Sequence, residues 1–384
     1  MRGSTEILIL HGLVSPYKTL LFNALYDRLG ERLRVVYLAE NAQIRDWAPD
    51  YDSIRFPYDL LFEGNIDELS QFTMAKATVT YLNRVRPKAL VIAGYDFLAN
   101  WAALAWAKIH RVPCVIVSET HKLDRPRNFP KETVKKVFLA GCDAALVAGE
   151  RHRQYLVGLG FPDSKVFIYH GVGGFDGDFY LKTFAALEEN RGEFRKTLGI
   201  QDKCFLYVGR LSPEKNLQAL LGEFARLKAD GAEQWQLVLV GDGPQRAELE
   251  ERVSREKIPD VKFPGFKVKE ELLQYYAAAD VFVLPSLSEP WGLVVDEAMA
   301  AGLPVIVSQR CGCYPDIVND GTNGHSFDPE DTGALHRLMR GFVDGDFDLR
   351  KMGTASKDII RERTPALSAE VFNRAVDFVR TAGS

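Results

Sequence analysis

The sequence predicts an α/β protein built of two doubly wound parallel-sheet domains. Three observations carry that prediction. Short continuous apolar runs alternate with stretches of helical spacing, the pattern of parallel strands covered on both faces. The alternation occurs in two series, separated by a Gly- and Asp-rich segment at 171–181 that reads as a hinge or linker. The length of 384 residues, with 46% hydrophobic and 26% charged, suits about two globular domains and excludes a disordered chain or a fibre.

In the first series the candidate strands are Ile7–Leu10, Arg34–Leu38, Ala89–Ala93, Cys114–Val117, Ala144–Ala148 and Val166–Tyr169. Between them Ser15–Leu29 has helical spacing, followed by helices over about 66–84, 97–110, 130–141 and 150–159. The second series has strands at Phe205–Val208, Gln236–Val240, Val281–Leu284 and Val305–Val307, and helices over about 216–229, 244–257, 269–278 and 291–301. A last amphipathic helix is expected over 367–382. The expected domains are 1–176 and 177–366, with 367–384 crossing back to the first. Open α/β sheets bind ligands outside the carboxyl ends of their strands. Two such edges facing each other would form a cleft, and the loops after strands are where chemistry is to be sought.

A net charge of −4 does not suit a protein that coats nucleic acid. No run approaches the roughly 18 apolar residues of a membrane span, and the N-terminus lacks the pattern of a signal peptide. The expected place is the cytoplasm. The charge is divided unevenly: residues 1–176 hold 22 Lys and Arg against 19 Asp and Glu, and the remainder 26 against 33. Different partners for the two halves are expected. The five cysteines read as free thiols of a reducing compartment. Cys311 and Cys313 form a lone C-x-C without a second pair or a His at zinc spacing, so no metal site is expected.

Three loops of the second series stand out. After Phe205–Val208 comes Gly209-Arg210-Leu211-Ser212-Pro213-Glu214-Lys215-Asn216. Gly209 allows close backbone approach, Arg210 offers a planar fork and Lys215 a point charge, a set that suits a diphosphate and equally a solvated basic loop. The loop Gly241-Asp242-Gly243-Pro244 has Arg246 where a dinucleotide fingerprint needs its third glycine, so it reads as a tight turn with Pro244 starting a helix. The third loop runs from Pro285 to Leu293 and contains Glu289, with Glu297 two helical turns further on. Carboxylates accept bidentate hydrogen bonds from vicinal hydroxyls, and the Gly292 and Leu293 amides at the helix start can face a phosphate. The plainer reading gives Glu289 to the helix dipole and Glu297 to a surface salt bridge.

Taken together, GRLSPEKN, LVLVGDGP, VKFPGF and ADVFVLPSLSEPWGLVVDEAMAAGLPVI resemble the donor domain of family 4 glycosyltransferases, in order, over about residues 204–330. Glu289 and Glu297 match that family's E-x7-E motif. The resemblance implies the GT-B architecture of two facing Rossmann-like domains. It also implies a retaining transferase that moves a sugar from a UDP- or GDP-sugar to a hydroxyl acceptor, with no obligate metal or other cofactor. Arg210 and Lys215 would hold the diphosphate, Glu297 the ribose, and Glu289 the sugar hydroxyls. Trp291, Gly292 and Leu293 would line sugar and phosphate, and Gly265, Phe266 and Lys267 would meet the base. In the first half, His121 resembles a strand-end histidine facing the donor sugar. Gly12 would approach the donor phosphate, with Tyr17 and Lys18 facing the acceptor.

The acceptor implied is a glycan or lipid-linked glycan of cell-surface polysaccharide or glycoconjugate synthesis. Within 122–139, Lys122, Arg125, Arg127, Lys131, Lys135 and Lys136 interleave with Val134, Val137, Phe138 and Leu139. Such a stretch can rest on an anionic membrane face or be a solvated helix face. A nucleotide-sugar epimerase of the same architecture is the alternative reading.

Overall fold

A computed structural model describes residues 5–42, 50–124, 127–200 and 202–382. The chain divides into two compact units. One gathers Met1–Lys122, Pro126–Phe175 and Thr364–Ser384; the other gathers Asp176–Arg363 with Leu123–Arg125.

The first unit is a seven-stranded parallel sheet. Its strands are β1 (Ile7–Leu13), β2 (Leu33–Ala39), β3 (Tyr58–Leu60), β4 (Ala89–Ala93), β5 (Cys114–Ser118), β6 (Ala144–Val147) and β7 (Val166–Ile168). They lie in the order β3-β2-β1-β4-β5-β6-β7, a Rossmann-like winding whose order reverses between β1 and β4. Helices α1 (Pro16–Leu29), α2 (Gln71–Val85), α3 (Leu98–His110), α4 (Phe129–Ala140) and α5 (Glu150–Gly158) connect them.

Side chains alternate across a strand, so the apolar runs feed two cores. Leu8, Leu10, Leu90 and Ile116 face Met74, Trp106, Phe138 and Leu156 of α2 to α5. Ile7, Ile9, Val91 and Val115 face Leu21, Phe22 and Leu25 of α1.

The second unit repeats the plan with six parallel strands. They are β8 (Lys203–Val208), β9 (Trp235–Val240), β10 (Val261–Gly265), β11 (Val281–Leu284), β12 (Val305–Ser308) and β13 (Gly324–Phe327), in the order β10-β9-β8-β11-β12-β13. Helices α6 (Gly177–Leu187) and α7 (Arg191–Leu198) precede the sheet. Within and after it come α8 (Leu217–Ala229), α9 (Arg246–Glu256), α10 (Lys269–Ala278), α11 (Leu293–Ala300), α12 (Ala334–Asp344) and α13 (Leu349–Arg361). Phe205, Tyr207, Phe224, Tyr276 and Phe282 fill its core.

The last helix, α14 (Pro365–Ala382), returns to the first sheet. Its Ala369, Val371, Phe372, Ala375, Val376 and Val379 complete the core face that α1 half covers.

The segment 171–181 is not a plain linker. Its second half is the start of α6, where the Asp176 side chain accepts from the Phe179 amide as an N-cap. The Gly177 amide donates to the Arg363 carbonyl at 2.9 Å, so the chain enters and leaves the second unit at one point. Pro244 does not start a helix either; Pro244 and Gln245 form a turn before α9 begins at Arg246.

Candidate active site

In the second unit the strand order reverses between β8 and β11. The loops that follow these two strands, 209–216 and 285–292, therefore flank the topological switch point. They are knitted together: the Leu287 amide donates to the Glu214 carbonyl at 2.8 Å.

The loops after β8, β9 and β10 are joined as well. The Gly209 amide donates to the Val240 carbonyl at 3.0 Å, Leu211 to Asp242 at 2.8 Å, and Gly241 to Gly265 at 3.0 Å. This contact explains the GDG sequence. A Cβ on Gly241 would lie 1.9 Å from the Gly209 carbonyl oxygen. The glycines serve loop-on-loop packing.

On this floor Arg210 is exposed, and its guanidinium has no ion pair among the described residues. The Lys215 ammonium pairs with Glu289, both largely buried. Glu289 accepts the Gly312 amide at its carbonyl, and the Trp291 carbonyl accepts the Cys313 amide. The C-x-C segment thus props the Glu289 loop through its backbone; all five cysteines are buried free thiols. Gly292 caps α11 with φ 100°, a left-handed conformation that favours glycine. It leaves the first amides of that helix without carbonyls of their own.

Trp291 does not line an open site. It is 2% exposed, its indole N–H donates to Asp296 at 2.8 Å, and the Arg363 guanidinium lies 5.2 Å from its ring centroid. Arg363 also pairs with Asp296 at 3.2 Å. Burial pushes the Asp296 carboxyl up, opposed by Arg363 and Trp291.

Glu297 is no surface salt bridge. Tyr180 donates to one carboxylate oxygen at 3.0 Å and Tyr276 to the other at 2.8 Å. Burial pushes its carboxyl up against the two hydroxyls. A carboxylate has about four acceptor positions, so capacity for a ligand remains. Phe266, just after β10, presents its ring at 72% exposure, and Lys267 lies 3.8 Å from Glu271.

In the first unit Gly12 falls inside β1, and its Cβ would only touch Phe97. Tyr17 is exposed at the start of α1. Lys18 differs from expectation: it is 8% exposed, and its ammonium is committed to Glu119, Tyr169 at 3.3 Å and the Val172 carbonyl at 2.7 Å. It ties α1 to the ends of β5 and β7 and does not face outward toward an acceptor. Burial would push Glu119 up, but the Lys18 ammonium and the Tyr169 hydroxyl outweigh it and hold its carboxyl below the ordinary value. His121, three residues past β5, is fully buried, with its ring edge-on to His152 at 5.2 Å.

In α4 the apolar residues divide. Phe138 and Leu139 are core, while Phe129, Val134 and Val137 are exposed beside Lys131 and Lys136. Lys135 and Arg127 turn inward to Glu132 and Tyr155. Arg125 lies outside the described residues. Among those described, no helix is long and apolar enough to cross a membrane.

Two Rossmann-like parallel sheets, the second with a cationic and carboxylate loop cluster at its switch point, define a protein of the GT-B fold. Within it, residues 190–358 match the family described as glycosyl transferases group 1. The chain is 35% identical over 246 residues to an uncharacterized glycosyltransferase of Methanocaldococcus jannaschii, 61% of each chain. It is 32% identical over 270 residues to the sulfoquinovosyl transferase of Arabidopsis thaliana, 66% of this chain and 49% of that one. The matches thus span about half to three fifths of those relatives. Among solved structures, Anabaena HepE in complex with UDP superposes with a TM-score of 0.74 at 19% identity, over 97% of this chain and 100% of that one. A sucrose-phosphate synthase from Thermosynechococcus elongatus does so at 0.73 and 21%, over 99% and 100%. At these identities the likeness is one of fold.

Proposed function

We propose that the protein is a retaining glycosyltransferase that takes a nucleoside-diphosphate sugar, a UDP- or GDP-sugar, and transfers the sugar to a hydroxyl acceptor. The observation that carries this reading is the exposed Arg210, without an ion pair among the described residues, beside the Lys215–Glu289 pair, at the switch point of a sheet whose neighbouring loops are hydrogen-bonded into one floor.

In this reading Arg210 takes the diphosphate as a planar fork, with the Gly292 and Leu293 amides adding partial positive charge. The Lys215 ammonium passes from Glu289 to the phosphate when donor arrives, which frees Glu289 for sugar hydroxyls. Glu297, oriented by Tyr180 and Tyr276, accepts from the ribose, and Phe266 stacks on the base. Departure of the nucleoside diphosphate builds negative charge where Arg210 and Lys215 are already placed. Such preorganised stabilisation is commonly the largest catalytic contribution. The leaving phosphate oxygen takes the acceptor proton on the same face of the sugar, giving retention. No metal has a role in this scheme.

The acceptor is a glycan or lipid-linked glycan of polysaccharide or glycoconjugate synthesis. The exposed Phe129, Val134 and Val137 among Lys131 and Lys136 on α4 support contact with an anionic membrane face. Sedimentation with liposomes is expected to rise with anionic lipid content and to fall for V134D/V137D; no dependence on charge would remove this part.

The primary test is a thermal-shift panel of nucleotides and nucleotide sugars, followed by product analysis with the stabilising donor in the presence of EDTA. Stabilisation by one nucleoside diphosphate family and formation of an α-linked product from an α-linked donor are expected. Inverted product, or no stabilisation by any nucleotide, would overturn the reading.

A further inference from the structure

The second sheet has another edge, where its strands begin. An open cavity of about 1020 Å³ lies there, lined by Lys203 at the start of β8, Asp280 just before β11 and Pro304 just before β12. Arg191 and Arg195 of α7 and Arg350 and Lys357 of α13 complete its cationic wall.

Asp280 is buried and meets three cations: Arg191 at 2.9 Å, Arg195 at 3.0 Å and Lys203 at 3.4 Å. It also accepts the Cys204 amide at 2.9 Å. One carboxylate therefore faces three positive charges. Arg191 reaches Asp280 and the Ala279 carbonyl through a single nitrogen, and Arg195 reaches Asp280 and the Ala278 carbonyl in the same way. Each guanidinium keeps further N–H donors for a ligand.

With the other acids, Glu188, Asp202 and Asp348, the wall holds five cations against four carboxylates, an excess of one positive charge. Asp348 is the N-cap of α13 and accepts the Arg350 and Lys351 amides at 3.0 Å. Glu188 stands 3.9 Å from Lys357, and Asp202 is exposed to solvent. The Arg350 side chain is exposed and has no ion pair among the described residues. None of the exposed large apolar residues borders the cavity, so its chemistry suits a free anion and not a bilayer. Its size matches a small-molecule site.

We propose that this cavity binds a small, multiply charged phosphate anion, at a site separate from the donor loops. The forks of Arg191 and Arg195 would take its oxygens from one side and Arg350 and Lys357 from the other, joining α7 to α13.

The test uses the full chain carrying R210A/K215A, which removes the donor-loop cations, titrated with inorganic tripolyphosphate by calorimetry. Saturable one-to-one binding is expected, weakened at least tenfold when R350E/K357E is added, with the unliganded melting temperature unchanged by that addition. In the wild-type background, R350E/K357E should remove one of two binding events. No binding to R210A/K215A with one event in the wild type, or binding indifferent to R350E/K357E, would overturn the proposal. Neither readout depends on transferase activity, so the outcome is separate from that of the functional reading.

Discussion

Arg210 and Lys215 share a loop but differ in readiness: the first is exposed and has no ion pair among the described residues, the second already holds Glu289. Arg210→Ala is therefore expected to lower kcat by about 10²–10³-fold, as for loss of one preorganised donor, with Arg210→Lys restoring only part because the bidentate fork is gone. Steady-state kinetics with the identified donor check this. Lys18 belongs to a different class of charge. Lys18→Met leaves Glu119 facing Tyr169 without its cation and should cost about 3 kcal/mol of stability by denaturant unfolding.

The two glutamates also set opposite pH slopes. Glu119 is held below its ordinary 4.5, so it stabilises the fold above pH 4.5, and that contribution is lost as pH falls through its lowered value. Glu297 is raised above 4.5, so its contribution is present below 4.5 and is lost as pH rises through the raised value. Melting curves should show Glu297→Gln gaining on the wild type as pH rises above 4.5, and the wild type losing its advantage over Glu119→Gln as pH falls below 4.5. The motif residues were legible because loop chemistry is local in sequence. Tyr180, 117 residues from Glu297, and Arg363, the buried partner of Asp296, were not, because only the fold brings such distant positions together.

Among the elements, most strands were readable as apolar runs: β1, β2, β4, β5, β6, β8, β9, β11 and β12, and at one sheet edge the partly buried β7. Three of the four edge strands, β3, β10 and β13, were missed. Tyr58-Asp59-Leu60 and Gly324-His325-Ser326-Phe327 are only partly buried, and Val261–Gly265 carries a Lys and a Pro that an edge tolerates. The linker reading of 171–181 held for its first half, since the unit boundary falls after Phe175, and missed the second half: Gly177 was counted as a breaker when it is the first residue of α6. The loop floor allows a direct comparison of glycines. Gly241→Ala places a Cβ 1.9 Å from the Gly209 oxygen and should cost about 1–3 kcal/mol while weakening nucleotide binding. Gly192→Ala, in α7 with nothing within 4 Å, should stabilise by about 0.4–1 kcal/mol. Thermal melts with and without nucleotide separate the two.

At the scale of the whole molecule, donor binding links to stability by mass action: at about 100 times its Kd a nucleotide should add roughly 2.7 kcal/mol. The first unit depends on a distant piece of chain. Each apolar side chain of α14 buried on its sheet contributes on the order of 1–3 kcal/mol, a sum comparable to the net stability of a domain. A chain ending at Thr364 is expected to lose the cooperative melting of the first unit, read by calorimetry, while residues 176–363 retain theirs.

The same return of α14 orders events in time. During synthesis the first sheet emerges early, yet one of its apolar faces stays half covered until the residues after Thr364 leave the ribosome. At roughly 5–20 residues per second, the intervening 176–363 segment takes about 10–40 s to make. For that interval the second unit can complete its fold while the first presents bare Val91, Val115 and Leu146. Apolar surface exposed in this way is prone to aggregation, so the half that is translated first is expected to be the half that matures last.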